Sequence, residues 1–309
     1  MTGSVLESPL PTTVAPPPAS QGRYLLGLVG AGIQGSLTPA MHEAEAAAQG
    51  LRLHYQLIDL DTAGTDASAL PLLLEAARMM GFAGLNITYP CKQAVIPLLD
   101  DLSDEAAAMG AVNTVVFDGG RAVGHNTDGA GWRWGFERTL PRADLSRVVL
   151  LGAGGAGAAI AHALLRMGAG HLRLVDASPG IADTLAQRLN HLYPGQRATA
   201  VAEPAAAMRD ATGLVHATPT GMDKWPGLPL PAALLQPDQW VSEIVYFPMH
   251  TALLRAARQR GCAVVDGGTM AVGQAVGAYR LFTGRDADAA RLDAHFRSLV
   301  RDRRDPDAP

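Results

Sequence analysis

The stretch RVVLLGAGGAG at residues 147–157 decides the fold that this sequence predicts. Its four consecutive apolar residues, 148–151, are typical of a strand that is buried on both faces of a parallel sheet. The glycines that follow have the spacing of a dinucleotide-binding turn, and an alanine-rich helix without proline comes next. A second predicted strand, His171–Val175, ends at Asp176, where an acidic residue can accept a hydrogen bond from a ribose hydroxyl. Together these features predict a Rossmann unit that binds a dinucleotide.

A second glycine pattern, GAGIQG at residues 30–35, has the same spacing but a different sequence context. Pro39 would lie inside the helix of a genuine fingerprint, where a proline costs about 3 kcal/mol. We therefore expect a loop that presents Ser36 and Thr38, followed by a helix that begins at Pro39 and is capped by Thr38. Two hydroxyls beside a helix N-terminus suit a small carboxylate. The alternative is that Thr38 only caps the helix and Ser36 only fills the turn.

The segment NITYPCK at residues 86–92 contains one of the two lysines of the chain, the other being Lys224; the remaining 23 of the 25 basic residues are arginines. An arginine keeps its proton near neutral pH, whereas a lysine amine can act as a base. Thr88 precedes Pro90 by two residues and should lie in extended backbone at a strand end, with Lys92 in the first turn of the next helix. This geometry would direct a hydroxyl, an amide and an amine into one cleft, although a lone lysine at a helix start is more often a surface residue.

Two polar motifs flank a predicted β-hairpin. They are GAVNT at residues 110–114 and GHNTDG at residues 124–129, and the turn between them is DGG at residues 118–120. The hairpin would bring Asn113 and Asp128 close together. The alternative is that Asp128 only caps the helix that follows it.

The chain has 309 residues, 48% of them hydrophobic, which is enough for two domains with ample cores. Strands alternate with helices, so we expect an α/β protein with parallel strands in its first domain. The proline-rich N-terminus has neither a basic start nor an apolar core, so it is predicted to be disordered rather than a signal peptide. The predicted segments are a disordered leader at 1–21, a substrate-binding catalytic domain at 22–139, a Rossmann domain at 140–267, C-terminal helices at 268–302 that return to the first domain, and a tail at 303–309.

Composition excludes several other classes of function. A net charge of −4 with interspersed signs gives no footprint for nucleic acid or an anionic membrane, and no apolar run reaches the roughly 18 residues of a membrane span. The two cysteines, Cys91 and Cys262, suit a reducing cytosol, and no Cys/His cluster has metal-ligand spacing. The sequence therefore predicts a cytoplasmic protein, a monomer or homodimer, with a small-molecule substrate and no bound metal.

Several of these motifs together resemble the shikimate dehydrogenase family over roughly residues 24–300. Within the family the sequence is most similar to the quinate/shikimate dehydrogenases that use NAD. Thr38 stands where shikimate-specific members usually have serine, and Asp176 stands where NADP-dependent members usually carry Asn-Arg-Thr. The matching motifs, in chain order, are SLTP at 36–39, NITYPCK at 86–92, GAVNT at 110–114, NTDG at 126–129, the fingerprint at Gly152, ATPTGM at 217–222 and the segment Gly267–Gln274.

The resemblance implies reversible, NAD-dependent oxidation of shikimate or quinate to the 3-dehydro acid by hydride transfer, with NADP the less expected cofactor. It also implies that Lys92 and Asp128 are the catalytic pair. Two alternatives are a dehydrogenase of aminoshikimate or another cyclic polyhydroxy acid, and a non-catalytic sensor of dinucleotide and metabolite. The implied substrate-binding residues are Ser36, Thr38, Thr88, Asn113, Tyr246 and Gln274. The implied cofactor-binding residues are Gly152, Ala153, Gly154, Gly155, Ala156, Asp176, Ile244 and Gly267.

The sequence departs from the family pattern at three positions. Tyr89 and Cys91 lie inside the lysine motif, and His216 replaces a common asparagine near the expected position of the nicotinamide. These departures bear on substrate preference more than on the type of reaction.

Overall fold

Two six-stranded sheets, each with its own helices, form the two halves of the molecule. The architecture is known from a computed structural model that describes residues 22–195 and 197–304. The predicted leader at 1–21 lies outside the described residues, and so do residues 305–309 of the predicted tail. Within the described residues, no helix is both long enough and apolar enough to cross a membrane.

The first sheet is mixed, with the strand order β2-β1-β3-β5-β6-β4. Strand β1 pairs in parallel with β2 and β3, as the alternation of strands and helices predicts, whereas β5 is antiparallel to both β3 and β6. The β5–β6 pair is antiparallel because a two-residue turn can join only antiparallel strands. The strands are β1 (Arg23–Gly30), β2 (Arg52–Asp59), β3 (Gly84–Ile87), β4 (Asp101–Leu102), β5 (Thr114–Asp118) and β6 (Arg121–His125).

The predicted hairpin between β5 and β6 is confirmed. Asp118 pairs with Arg121, so the turn consists of Gly119 and Gly120. Both glycines have positive φ, 54° and 84°, as a type I′ turn requires, and its twist matches that of the flanking strands.

Two helix starts in the first half differ from the predicted caps. Helix α1 has Leu37 as its N-cap and begins at Thr38, so the prediction that Thr38 caps it is wrong. The reason is that Ser36 Oγ accepts the Thr38 N–H at 3.2 Å, which draws Thr38 into the first turn. Asp128 is likewise a first-turn residue and not a cap. The helices are α1 (Thr38–Ala48), α2 (Leu70–Met79), α3 (Cys91–Ala94), α4 (Asp104–Met109) and α5 (Asp128–Thr139), with short 3-10 turns at Ala67–Ala69 and Ile96–Leu98.

The second half is a Rossmann domain, as predicted. All its strands are parallel, in the order β12-β11-β10-β7-β8-β9, which is the 3-2-1-4-5-6 order of doubly wound sheets. The order reverses between β7 and β10, and ligands bind at such switch points. The elements are β7 (Arg147–Leu151), α6 (Gly155–Arg166), β8 (His171–Val175), α7 (Pro179–Leu192), β9 (Ala198–Ala200), α8 (Pro204–Met208), β10 (Gly213–His216), β11 (Trp240–Glu243), α9 (Ala252–Gln259) and β12 (Ala263–Val265), with a 3-10 turn at Ala232–Leu234.

The two last helices, α10 (Gly267–Thr283) and α11 (Ala289–Arg304), return to the first half, as predicted. Helix α10 lies against α5 with almost no side chain between them. A Cβ on Gly131 of α5 would lie 2.5 Å from the Gln274 nitrogen, and one on Gly273 would lie 2.3 Å from the Gly131 oxygen. This backbone-to-backbone contact brings Gln274 to the N-terminal part of α5. Helix α11 runs to Arg304, two residues into the predicted tail.

A buried carboxylate, that of Glu45, joins α1 to the last helix. Its two oxygens each accept a hydrogen bond of 2.8 Å from the guanidinium of Arg291. Burial alone would raise the pKa of Glu45, but the hydrogen bonds from Arg291 and its neighbours outweigh burial and lower the pKa below its usual value of 4.5. Because the folded-state pKa is lowered, Glu45 contributes stability above about pH 4.5 that is lost as the pH falls through the folded-state pKa.

We therefore expect Arg291→Ala to lower the melting temperature at about pH 7, because it leaves a buried carboxylate without its guanidinium. The difference from the wild type should shrink as the pH falls toward and through about 4.5, because loss of Arg291 raises the pKa of the buried Glu45 and lets it be protonated in the folded variant. Thermal unfolding at several pH values measures this. Arg280→Ala, which removes an exposed pair with Asp286, is the control and should change little. A difference in melting temperature between Arg291→Ala and the wild type that does not vary with pH would contradict the account.

Candidate active site

An open cleft lies where the strand ends of the first sheet meet α5 and α10. Six of the predicted catalytic and substrate-binding residues line it: Thr38, Thr88, Lys92, Asn113, Asp128 and Gln274. The other lining residues are His42, Asn86, Ile87, Thr127 and Ala275.

The lysine and the aspartate predicted as a catalytic pair are in direct contact. Lys92 Nζ lies 2.5 Å from Asp128 Oδ2, and the Asp128 side chain is only 1% exposed. The Lys92 carbonyl accepts a hydrogen bond of 2.8 Å from the Val112 N–H, so the backbone of the lysine is also fixed. The Lys92 side chain is 21% exposed and lines the cleft from a held position.

Asn113 fixes the other side of the pair, as the hairpin predicted. Its amide nitrogen donates to Asp128 Oδ1 at 2.8 Å and to Thr127 Oγ1 at 2.9 Å. Its amide oxygen accepts from the Thr127 N–H and from the Thr114 hydroxyl, both at 2.9 Å. One asparagine thus joins the end of the hairpin to the start of α5, and Asp128 has one oxygen for Asn113 and one for Lys92.

Asn86 also lines the cleft, where the lysine motif was expected to direct an amide, although the sequence assigned it no role. Its amide donates to the Asn113 carbonyl at 3.2 Å and to Thr114 Oγ1 at 3.0 Å, and its oxygen accepts the Tyr55 hydroxyl at 2.6 Å. Burial raises the pKa of Tyr55 well above its usual value, so this hydroxyl stays a donor. A signal was present, because residues two apart on a strand share a face and Asn86 precedes Thr88 by two.

His42 lines the cleft although the sequence did not select it. Burial lowers the pKa of His42 to about 4, against a smaller opposing effect from its hydrogen bond to the Thr38 carbonyl at 3.0 Å. The ring is therefore neutral at physiological pH, with Nδ1 donating, and its Nε2 has no partner among the described residues. Its position four residues after Thr38 on a helix was the available signal.

Two predicted substrate residues do not line this cleft. Ser36 lies beside it, and its hydroxyl donates to Thr38 Oγ1 at 3.1 Å, so the two predicted hydroxyls are adjacent. Tyr246 packs edge-on against Phe296 of α11, with ring centroids 5.9 Å apart.

The fingerprint turn after β7 fits a dinucleotide pyrophosphate. Gly152 has φ +96°, which favours glycine, and a Cβ on Gly157 would lie 2.0 Å from the Gly152 oxygen, so α6 packs directly on the strand end. A Cβ on Gly154 would meet no atom within 4 Å, which leaves open space in front of the helix N-terminus, where phosphates bind. Ala156 is the second residue of α6. A Cβ on Gly155 would lie 3.8 Å from Lys92 Cδ, so the fingerprint adjoins Lys92.

Asp176 stands at the end of β8, at the edge of the same turn. Its Oδ2 accepts the Ala153 N–H at 2.8 Å and its Oδ1 accepts the Ser178 N–H at 2.9 Å. A carboxylate has about four acceptor sites, so both oxygens can still accept from ribose hydroxyls. The residues present therefore suit a dinucleotide.

The remaining predicted cofactor residues, Ile244 and Gly267, follow β11 and β12 at the carboxyl edge of the same sheet. A Cβ on Gly267 would lie 2.4 Å from the Ile244 oxygen, so the start of α10 packs directly on the chain after β11. The Ile244 N–H donates to the carbonyl of His216 at 3.2 Å. The fully buried ring of His216 lies between Glu243 Oε1 at 2.9 Å and Thr218 Oγ1 at 2.5 Å, so it braces the end of β10.

Among the described residues, no group of three or more His, Cys, Asp and Glu side chains is placed to hold a metal ion. The titratable groups of the cleft are Lys92, Asp128 and a neutral His42, next to a Rossmann fingerprint. A dinucleotide turn that adjoins an acid–base pair defines the class, a dinucleotide-dependent oxidoreductase.

Comparison with known proteins identifies the family. Residues 28–115 match the family model described as the shikimate dehydrogenase substrate binding domain. A shikimate dehydrogenase (NADP(+)) from Streptomyces avermitilis is 57% identical over 283 residues, which is 91% of this chain and 97% of the relative. A quinate/shikimate dehydrogenase (NAD(+)) from Corynebacterium efficiens is 48% identical over 281 residues, which is 89% of this chain and 98% of the relative.

A solved structure agrees with these relatives. The quinate dehydrogenase from Corynebacterium glutamicum in complex with NAD has a TM-score of 0.85 and 46% identity, and the match covers 90% of this chain and 99% of that one. The chain belongs to the shikimate dehydrogenase family, and its cofactor is a nicotinamide dinucleotide.

We expect the hydrogen bonds of Asn113 to contribute to both stability and turnover. Asn113→Ala leaves the buried Thr127 N–H without its acceptor, which costs about 1–3 kcal/mol of unfolding free energy. The substitution also removes the hydrogen bond that orients the Asp128 carboxylate, so kcat should fall. Denaturant unfolding and steady-state kinetics measure the two effects.

The matched control is Asn190→Ala, which removes two hydrogen bonds between the Asn190 side-chain amide and the backbone of Ala198 in the Rossmann domain. It should destabilise the protein without lowering kcat. Equal losses of kcat in the two variants would mean that Asn113 acts only through stability.

Proposed function

We propose that the chain catalyses the reversible, NAD-dependent oxidation of shikimate and quinate to the corresponding 3-dehydro acids. The observation that carries the proposal is the contact of Lys92 with Asp128 at 2.5 Å, directly beside the fingerprint turn at Gly155. The names of the relatives support it, since quinate and shikimate both occur among them.

Oxidising a secondary alcohol requires a base within hydrogen-bond reach of its hydroxyl. Lys92 takes this role, with its amine at the cleft surface and Asp128 behind it. As the hydroxyl proton leaves, the positive charge that develops on the amine is stabilised by the buried carboxylate. Asn113 keeps that carboxylate oriented through Oδ1. Acceptance of the hydride is the chemistry that the bound nicotinamide supplies.

The substrate is held by groups on both sides of Lys92. Ser36 and Thr38 hold its carboxylate with their hydroxyls at the N-terminus of α1, where the helix dipole favours an anion. Ring hydroxyls are held by Thr88, Asn113 and Gln274. Tyr246 is included in the carboxylate site by family resemblance alone, since its ring packs against α11.

Preference for NAD over NADP rests on Asp176. Its carboxylate accepts a hydrogen bond from a ribose 2′-hydroxyl and repels a 2′-phosphate, and the next residues, Ala177 and Ser178, supply no arginine to neutralise a phosphate. The relatives include both an NADP(+) and an NAD(+) enzyme, so this residue and not the overall likeness supports the proposal.

Turnover of quinate as well as shikimate rests on Thr38. Quinate carries a tertiary hydroxyl beside its carboxylate, so its acid end sits differently from that of shikimate. The methyl group of threonine restricts the rotamer of its hydroxyl, which favours one position for the carboxylate. In the structure this hydroxyl is further fixed by Ser36.

The proposed function is tested by a panel of shikimate, quinate and aminoshikimate with NAD and with NADP. We expect shikimate and quinate to be oxidised, with the higher kcat/KM for NAD, followed by the absorbance of the reduced nicotinamide. Binding of both ligands without turnover would instead indicate a sensor, and an equal or higher kcat/KM with NADP would contradict the cofactor proposal.

Asp176→Ala tests cofactor recognition at one residue. It removes a charged acceptor of the ribose hydroxyls, which is worth about 1.5–3 kcal/mol, so KM for NAD should rise by about tenfold or more. KM for NADP should change less, because repulsion of the 2′-phosphate is removed as well. Asp183→Ala, an exposed carboxylate on α7, is the matched control and should leave both values unchanged. Parallel losses for NAD and NADP would show that Asp176 does not discriminate between them.

A further inference from the structure

The loop GAGIQG at residues 30–35 has the letters of a dinucleotide fingerprint, but it opens no helix and wraps around a carboxylate of the protein itself. Strand β1 ends at Gly30, and Asp59 at the end of the neighbouring strand β2 projects its carboxylate at the loop. Asp59 Oδ1 accepts the Gly32 N–H at 3.0 Å, and Oδ2 accepts the Ile33 N–H at 3.1 Å. The N–H groups that would hold a phosphate in a genuine fingerprint are here satisfied internally.

The Asp59 carboxylate is ionised in this setting. The side chain is buried, and burial alone would raise its pKa. Hydrogen bonds from the Gln34 side chain and from the N–H groups of Gly32, Asp61 and Ile33 outweigh burial and hold the pKa of Asp59 below its usual value. The negative charge is thus satisfied by donors of the loop and its flank.

A short series of hydrogen bonds leads from Asp59 to the proposed site for the substrate carboxylate. Ile33 donates its N–H to Asp59, and its carbonyl accepts the Ser36 N–H at 2.8 Å. Ser36 Oγ then accepts the Thr38 N–H at 3.2 Å and donates to Thr38 Oγ1 at 3.1 Å. The direction of both hydroxyls therefore depends on where Ile33 is held.

The other side of the loop rests on the lysine motif. The Ala31 N–H donates to the Tyr89 carbonyl at 2.9 Å. A Cβ on Gly30 would lie 2.3 Å from Thr88 Cγ2, so the loop touches the threonine that lines the cleft. The loop is held between Asp59 and this motif, and a change at Asp59 shifts the two hydroxyls relative to Lys92.

We propose that Asp59 is a positioning residue for recognition of the substrate carboxylate, acting through the loop at 30–35 on Ser36 and Thr38. The inference rests on the proposed function of those two hydroxyls. A carboxylate is required because N–H donors reach both of its oxygens, and the amide nitrogen of an asparagine would face one of them.

The test compares shikimate with its methyl ester in the full-length enzyme with saturating NAD. Asp59→Asn should raise KM for the acid about tenfold, the effect of losing one hydrogen bond to a charged group. The KM for the ester, which lacks the anionic group, should stay near the wild-type value, and so should kcat and the affinity for NAD. Asp61→Asn, the same change at an exposed neighbour, is the matched control and should alter neither KM.

The possible outcomes separate the inference from the function on which it rests. An unchanged KM for the acid, or equal rises for acid and ester, would overturn the positioning role of Asp59. A wild-type enzyme that does not distinguish acid from ester would overturn the carboxylate site itself, and the inference with it. If Asp59→Asn does not fold, Gly32→Ala perturbs the same loop, because φ +65° disfavours alanine. Gly32→Ala must show the same rise in KM for the acid alone. An unchanged ratio of the KM for the acid to the KM for the ester would refute the inference.

Discussion

The contact between the Lys92 amine and the buried Asp128 carboxylate is the interaction on which the rest of the site depends. A carboxylate that is 1% exposed is stable only if its oxygens are satisfied, and here Lys92 and Asn113 take one oxygen each. Three separate pieces of the first half must therefore meet at one point: the turn after β3, the end of the hairpin and the start of α5. The antiparallel pairing of β5 with β3 in the mixed sheet brings these three pieces together.

The second constraint is the close approach of the two halves around that pair. Helix α10 follows the last Rossmann strand and touches α5 through Gly131 and Gly273, which brings Gln274 into the cleft. On the other side the fingerprint turn comes within contact distance of the Lys92 stem at Gly155. Glycine is required at Gly131 and Gly273, since a Cβ at either position would lie 2.5 Å or less from a backbone atom of the other helix.

Local chemistry explains how much of this could be predicted. The Rossmann strands, the hairpin turn and the adjacency of Asn113 and Asp128 follow from short-range patterns that allow few alternatives. The cap at Thr38 was predicted wrongly because Ser36, two residues earlier, accepts the Thr38 N–H. His42 was overlooked although its spacing from Thr38 placed it on the right face of α1. The pairing of Glu45 with Arg291 joins distant parts of the chain, and no local pattern indicates it.

The central claim is that Lys92 moves the proton, and Lys92→Arg tests it most directly. The substitution keeps the positive charge beside Asp128 but removes the titratable amine. The pH dependence of kcat, together with the affinity for NAD, should be measured for the variant and the wild type. We expect kcat to fall by about 10²–10⁴-fold at every pH while NAD binding is retained, because the fingerprint lies in the other domain. Near-native kcat across the pH range would show that Lys92 is only an electrostatic clamp.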